Sequence, residues 1–284
     1  MADFLSGLKK FGLGNLKSEE LYEDPKKKKV EVEKPAAKAP VKIVEKDLLY
    51  DKKYTCPICD KEFVAKTVRT GKVRMKGVDL DLRPDYDEID QIKYDVIACP
   101  ECGYAALARY YGKLTKFQID EIKSKICANY RKQDYLGEVY SYEEAQIRYE
   151  LALATAMVKK SKNSEKAYLC LKTAWLIRGE VQRMDPDEPN YEKQKAEKEA
   201  QEKDLLKNAL EGFIMARQSE EFPIAGMDSN TLDYLMAALA TETDDFDVAN
   251  KMISELLTSR AANERIKDKA RALKEMIAEK KAGQ

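Results

Sequence analysis

Two short stretches constrain this chain more than anything else in it: Cys56-Pro57-Ile58-Cys59 and Cys99-Pro100-Glu101-Cys102-Gly103. Two sulfurs spaced by two residues in a tight turn face one point. Two such pairs supply the four thiolates of a closed tetrahedral site, with zinc–sulfur bonds of roughly 2.3 Å. A proline after the first cysteine of each pair presets the turn, and Gly103 provides the positive-φ residue that a knuckle needs beside its last ligand. Residues 60–98 separate the pairs, more than the about 15 to 20 residues usual in such sites, so a long hairpin or insertion has to fill the gap. The expected ligands are Cys56, Cys59, Cys99 and Cys102, holding one Zn²⁺ ion. The role is structural, because a catalytic zinc keeps a coordination position open for water.

Two other uses of paired cysteines compete with this reading. Structural disulfides do not persist in a reducing cytosol, and a thioredoxin-like redox motif needs its CxxC at a helix start within a βαβ unit, which follows neither pair. Composition narrows the chemistry further. The chain contains no histidine, which removes the commonest general base, the Ser-His and Cys-His nucleophile pairs and every His-containing metal site. Lys plus Arg equals Asp plus Glu at 51 each, so no global field draws the chain to nucleic acid or membrane. No apolar run approaches the roughly 20 residues of a bilayer span, and the first ten residues lack the pattern of an export signal. The expected location is cytoplasmic.

Three segments follow from composition and periodicity, and the expected fold class is α+β, mostly α. Residues 1–46 place Phe4, Leu5, Leu8, Phe11, Leu13 and Leu16 near helical spacing, and then run through Lys26 to Lys29 into a Lys/Glu/Pro/Ala stretch. This reads as an amphipathic peptide on a disordered linker, docking on a partner, on the protein itself or on nothing. Residues 47–112 form the zinc ribbon. Phe63 to Arg69 alternates as a strand does, Thr70-Gly71-Lys72 is a turn, Val73 to Leu82 is a second extended stretch, and Asp85, Asp87, Glu88 and Asp90 make an acidic loop. Tyr94 to Ala98 is the strand that delivers the second knuckle, and Tyr104 to Tyr111 reads as a short helix.

Residues 113–284 are helical. Thr115 caps a helix to about Lys132, and Ser141-Tyr142-Glu143-Glu144 is a capping box for a helix to about Lys159. Further helices are expected at about 164–183, Tyr191 to Arg217, 229–241, 245–258 and 262–280. Ala237, Phe246, Ala249, Ile253 and Leu256, and earlier Ala167, Leu171 and Ala174, fall where tetratricopeptide (TPR) repeats place their small and large packing residues. The array is therefore TPR-like and antiparallel, with a simple helical bundle as the plainer alternative. Cys127, Cys170 and Trp175 are expected in the core, and the cluster Tyr130, Tyr135, Tyr140, Tyr142 and Tyr149 packs where ribbon meets helices or lines a peptide groove.

Taken together, Cys56-Pro57-x-Cys59, Arg83-Pro84-x-Tyr86, Tyr94-Asp95-Val96 and Cys99-Pro100-x-Cys102-Gly103-Tyr104-Ala105-Ala106, followed by TPR-like helices, resemble the bacterial family catalogued as domain of unknown function 2225. The N-terminal Gly12-Leu13-Gly14-Asn15-Leu16 is similar to members of it as well. The resemblance implies a zinc ribbon joined to helical repeats in a bacterial cytosol, and it implies no activity. Its cysteines carry over to Cys56, Cys59, Cys99 and Cys102. Many relatives have His where this chain has Glu101, so that position is no essential ligand here.

The expected function is non-enzymatic: a protein-protein interaction or scaffold module that presents its helical array to an unidentified protein or peptide. The alternative is a nucleic-acid-binding ribbon, which would use Lys61, Lys66, Arg69, Lys72, Arg74, Lys76 and Arg83 with Phe63, Tyr86 and Tyr94. An enzyme is the third reading and would need carboxylates of the Asp85 to Asp90 loop to converge.

Overall fold

A computed structural model describes residues 44–132 and 137–282. The amphipathic segment, nearly all of the linker and Tyr135 lie outside the described residues. The described chain starts with a 3₁₀ turn, Glu45–Leu48, and β1, Leu49–Thr55. Strand β1 runs antiparallel to β2, Glu62–Val68, with Leu49 opposite Val68 and Thr55 opposite Glu62. The alternation read from the sequence is visible in β2, where Phe63 and Ala65 are buried between exposed Glu62 and Val64.

The second extended stretch is shorter than expected. Strand β3 is Met75–Val78, and the chain then turns through Asp79 to Leu82 into β4, Pro84–Tyr86. Leu82 takes a left-handed conformation, φ 70°, and the amide of Asp79 donates to the Arg83 carbonyl at 2.8 Å. After a second 3₁₀ turn, Gln91–Tyr94, β5 is Val96–Ala98 and pairs antiparallel with β6, Ala105–Leu107. The helix expected over residues 104–111 is thus a strand followed by turns. Alanine and leucine favour helix, but the knuckle closes Cys99 onto Tyr104 and lays residues 105–107 beside β5, where long-range packing overrides local preference.

The hairpin β5–β6 is buried on both faces and divides two cores. Val96, Ala98, Ala105 and Leu107 belong to the large core shared with the helices, whereas Ile97 and Ala106 belong to a smaller core around the cysteines. Period-two alternation therefore separates two buried environments rather than core from water.

Helix α1, Lys116–Ile122, is capped by Thr115, as the sequence indicates, and Gln118 completes a reciprocal capping box. It does not continue to Lys132. A single π turn, Lys123–Cys127, ends it, and the chain leaves the helical path where the Tyr130 ring packs over Gly103. The later helices match expectation closely: α2 Tyr142–Val158, α3 Asn163–Val181, α4 Tyr191–Ser219, α5 Ser229–Glu242, α6 Phe246–Thr258 and α7 Glu264–Ala282. The caps explain the starts. Ser141 and Glu144 form the box of α2, Asp228 accepts from the amide of Thr231, and Asp245 accepts from that of Val248.

Helix α4 has 29 residues, roughly 44 Å at 1.5 Å per residue. Its buried residues begin only at Leu206, so the Lys/Glu-rich first half faces solvent. Each helix from α2 to α7 packs on the next, and α5 also contacts α7. Small residues set the spacing: a β-carbon at Gly212 would sit 2.8 Å from that of Ala167, so α3 and α4 meet almost backbone to backbone. The shared core runs from Val96 and Leu107 through Tyr149, Trp175, Phe213 and Tyr234 to Ile253 and Leu273. The fold class is α+β and mostly α. Among the described residues no helix is long and apolar enough to cross a membrane.

Candidate metal centre

Both knuckles follow one backbone pattern. In the first, the Asp60 amide donates to the Cys56 carbonyl and the Cys56 amide to the Lys61 carbonyl, both at 3.0 Å. In the second, Gly103 donates to Cys99 at 3.1 Å and Cys99 to Tyr104 at 2.8 Å. The residue after each second cysteine is left-handed, with φ 58° at Asp60 and 75° at Gly103. Asp is among the few side chains that enter this region readily. At Gly103 space forbids any side chain, because a β-carbon would lie 2.4 Å from Cδ2 of Tyr130. Sequence reasoning assigned Gly103 and missed Asp60, although the two share the same offset from their CxxC.

The knuckles bring all four sulfurs together. Cys56 Sγ lies 3.6 Å from Cys102 Sγ and Cys59 Sγ lies 3.7 Å from Cys99 Sγ, and the four atoms fall within 4.8 Å of one another. A tetrahedral ion with bonds of roughly 2.3 Å holds its ligands about 3.8 Å apart, so the four cysteines could hold one metal ion. Cys56, Cys99 and Cys102 are buried and Cys59 is half-buried, among Ile58, Phe63, Tyr104 and Ile122.

The surroundings suit thiolates. The Ile58 amide points at Cys56 Sγ from 3.4 Å. The buried hydroxyl of Tyr111 has no hydrogen-bond partner, and burial first, then the charge of Cys56, pushes its pKa up; a metal-bound thiolate at Cys56 offers that hydroxyl an acceptor. Without a cation Cys56 and Cys102 are driven in opposite directions. Hydrogen bonds from Cys102 and then Cys99 hold the Cys56 thiol far below its usual range, while the same contacts, Cys56 first, drive Cys102 up. A divalent ion removes that conflict because it stabilises all four thiolates at once.

Glu101, inside the second knuckle, is engaged away from the sulfurs. It pairs with Lys61 and Lys132, each at 2.8 Å, and these two, Lys132 first, hold its carboxyl down at about 2. Since Lys61 follows the first knuckle directly, the Lys61–Glu101 pair ties the two turns together.

The basic residues of the insertion are largely occupied. Lys66 pairs with Asp51 at 2.8 Å and Lys76 with Asp87 at 2.8 Å. Arg69 donates to the Leu49 carbonyl and lies over the Tyr50 ring. Arg83 is buried and paired with Asp79 and Asp90. The acidic loop does not converge: Asp87 turns to Lys76, whereas Asp90 is buried and caps the 3₁₀ turn through the amide of Ile92. Cys170 and Trp175 lie in the helical core and half-buried Cys127 packs against the cysteine cluster. Tyr140 and Tyr149 are buried at the junction, the latter donating to the Ile92 carbonyl at 3.0 Å.

A family model described as "Uncharacterized protein conserved in bacteria (DUF2225)" matches residues 49–277, a span that takes in both knuckles, helices α1 to α6 and most of α7. Comparison with curated proteins and with solved structures finds no match. The chain belongs to this DUF2225 family of uncharacterised bacterial proteins.

Proposed function

We propose that the chain is a non-enzymatic interaction module of the cytosol: one structural zinc ion, held by Cys56, Cys59, Cys99 and Cys102, fixes the small ribbon, and the helices present a groove to a protein or peptide. Zinc suits four thiolates in tetrahedral order, and a set of four leaves no position for a reacting water. The absence of histidine from the sequence agrees with a structural role.

The groove carries the interaction reading. Two cavities of about 300 and 480 Å³ adjoin along α4, α5 and α6, sharing Ile214 and Gln218. The apolar lining is Leu210, Ile214, Met215, Met236, Val248 and Met252. Methionines adapt to varied partners. The charges at the rim have both signs, Arg217 paired with Asp233 and Lys251 near Glu255. The partner that fits is an amphipathic helix with an apolar face, laid along the groove. Small residues at Ala167, Ala174, Ala237 and Ala249, all buried, support a TPR-like array. Nucleic acid, the alternative partner, has less support because Lys61, Lys66, Lys76 and Arg83 are already paired.

The test is peptide-display selection on the full chain, followed by affinity measurement against Met215→Glu and Met252→Glu. Met215 is 45% exposed, so its variant should keep the fold. The expected result is at least about tenfold weaker binding of the selected peptides, that is 1.4 kcal/mol. Equal binding to all three proteins would refute the groove.

A further inference from the structure

The turn between β3 and β4 pushes its tip, residues 79–83, against α3 and α5. Tyr234 of α5 donates its hydroxyl to the Leu80 carbonyl at 2.7 Å, and Trp175 of α3 donates Nε1–H to Asp81 at 2.7 Å. Arg178 of α3 gathers four carboxylates: Glu202 of α4 at 2.6 Å, Glu242 of α5 at 2.8 Å, Asp81 at 3.0 Å and Asp79 at 3.3 Å. Arg83 reaches Gln182 at 2.9 Å, Asp79 at 3.4 Å and Asp90 at 3.7 Å.

Acid outnumbers base in this buried cluster. Asp79, Asp81, Asp90, Glu202 and Glu242 face the guanidinium groups of Arg83 and Arg178; among the described residues the more exposed Arg183 adds a third, 3.9 Å from Asp90, and the Tyr142 hydroxyl donates to Asp90 at 3.0 Å. Neighbouring lysines do not correct the balance. Lys203 of α4 and Lys280 of α7 turn to Asp244, Lys280 also bonds the Thr241 carbonyl, and Lys269 of α7 lies over the Tyr234 ring. There is no room to relax by retreat at α3, since a β-carbon at Gly179 would stand 2.1 Å from Asp90 Oδ2. Excess carboxylates drawn out of bulk water retain a proton.

We propose that a proton shared within this cluster latches the β3–β4 hairpin onto the helices, and that the latch loosens as the solution becomes more alkaline. Glu242 is the group that holds it. Burial first, then the charge of Asp81, pushes its carboxyl up to about 7 even with Arg178 alongside, and burial raises Glu202 in the same direction. A folded-state value above the unfolded one means that folding takes up a proton. The stabilisation is complete below the ordinary value of 4.5 and lost as the pH rises to about 7. Beyond that, the ionised Glu242 faces Asp79 and Asp81 across the Arg178 guanidinium, and the hairpin tip that carries these two residues loosens.

Amide hydrogen exchange on the full chain, corrected for the intrinsic pH dependence, tests this. Protection of residues 75–86 should fall at least about tenfold between pH 5.5 and 8.5 relative to the core amides of α5. Glu242→Gln, which mimics the protonated carboxyl, should abolish that fall. Should that variant fold poorly, Asp79→Asn, at the cluster's partly exposed edge, should shrink the fall to less than half. Protection independent of pH in the parent chain, or an undiminished fall in either variant, would overturn the proposal.

Discussion

Replacing Gly103 with alanine should destabilise the second knuckle through two separable effects. Holding an alanine in the left-handed region costs about 1–2 kcal/mol, and Gly103 stands at φ 75°. The new methyl would lie 2.4, 2.6 and 2.9 Å from three atoms of the Tyr130 ring, so the ring has to move, and overpacking of this kind costs about 1–3 kcal/mol. Together the loss is about 2–5 kcal/mol. For a domain of this size each kcal/mol lowers Tm by about 2–4 °C, which puts the variant roughly 4–20 °C below the parent in a thermal melt of the metal-loaded protein. The first knuckle supplies the control. Asp60 has the same handedness at φ 58°, so Asp60→Gly gains backbone freedom in the fold while adding disorder to the unfolded chain, and should stay within about 1 kcal/mol of the parent. Gly103→Ala melting within about 1 °C of the parent, or Asp60→Gly losing as much as Gly103→Ala, would refute the geometric account of the two turns.

Other substitutions probe packing and the buried polar contacts. Phe213→Ala empties a fully buried site in the helical core and should cost about 3–5 kcal/mol in urea unfolding, whereas Met157→Ala, at a residue 63% exposed, should fall within about 0.5 kcal/mol of zero. Trp175→Phe removes the indole donor that Asp81, fully buried, accepts at 2.7 Å. A loss of about 1–3 kcal/mol is expected. A loss equal to that of Met157→Ala would mean that the contact carries no stability.

Much of this fold is legible in the sequence because the features concerned are local. Ser141 with Glu144, Thr115 as a cap, and the regular apolar spacing of α2 to α7 lie within a turn or two of what they specify. The paired cysteines announce their own convergence through spacing. What escaped the sequence is non-local. Strand β1, Leu-Tyr-Asp-Lys-Lys-Tyr-Thr, has no alternation to betray it, since apart from Leu49 it buries almost nothing; it is a strand because β2 pairs with it. Residues 105–107 look helical and become a strand because the knuckle places them beside β5. The clustering of Asp79, Asp81 and Arg83 with Arg178, Glu202 and Glu242 joins residues around 100 positions apart. Single-sequence periodicity reports the face a residue shows, not the partner it meets there.

Metal content measured on the purified, monodisperse full chain bears most directly on the central claim. Elemental analysis by mass spectrometry should find one zinc per chain, and a Cys59→Ser/Cys99→Ser variant should lose it together with the protection of β5 and β6 amides. A folded parent protein free of bound metal, or a double variant that keeps the ion and the hairpin, would contradict the account.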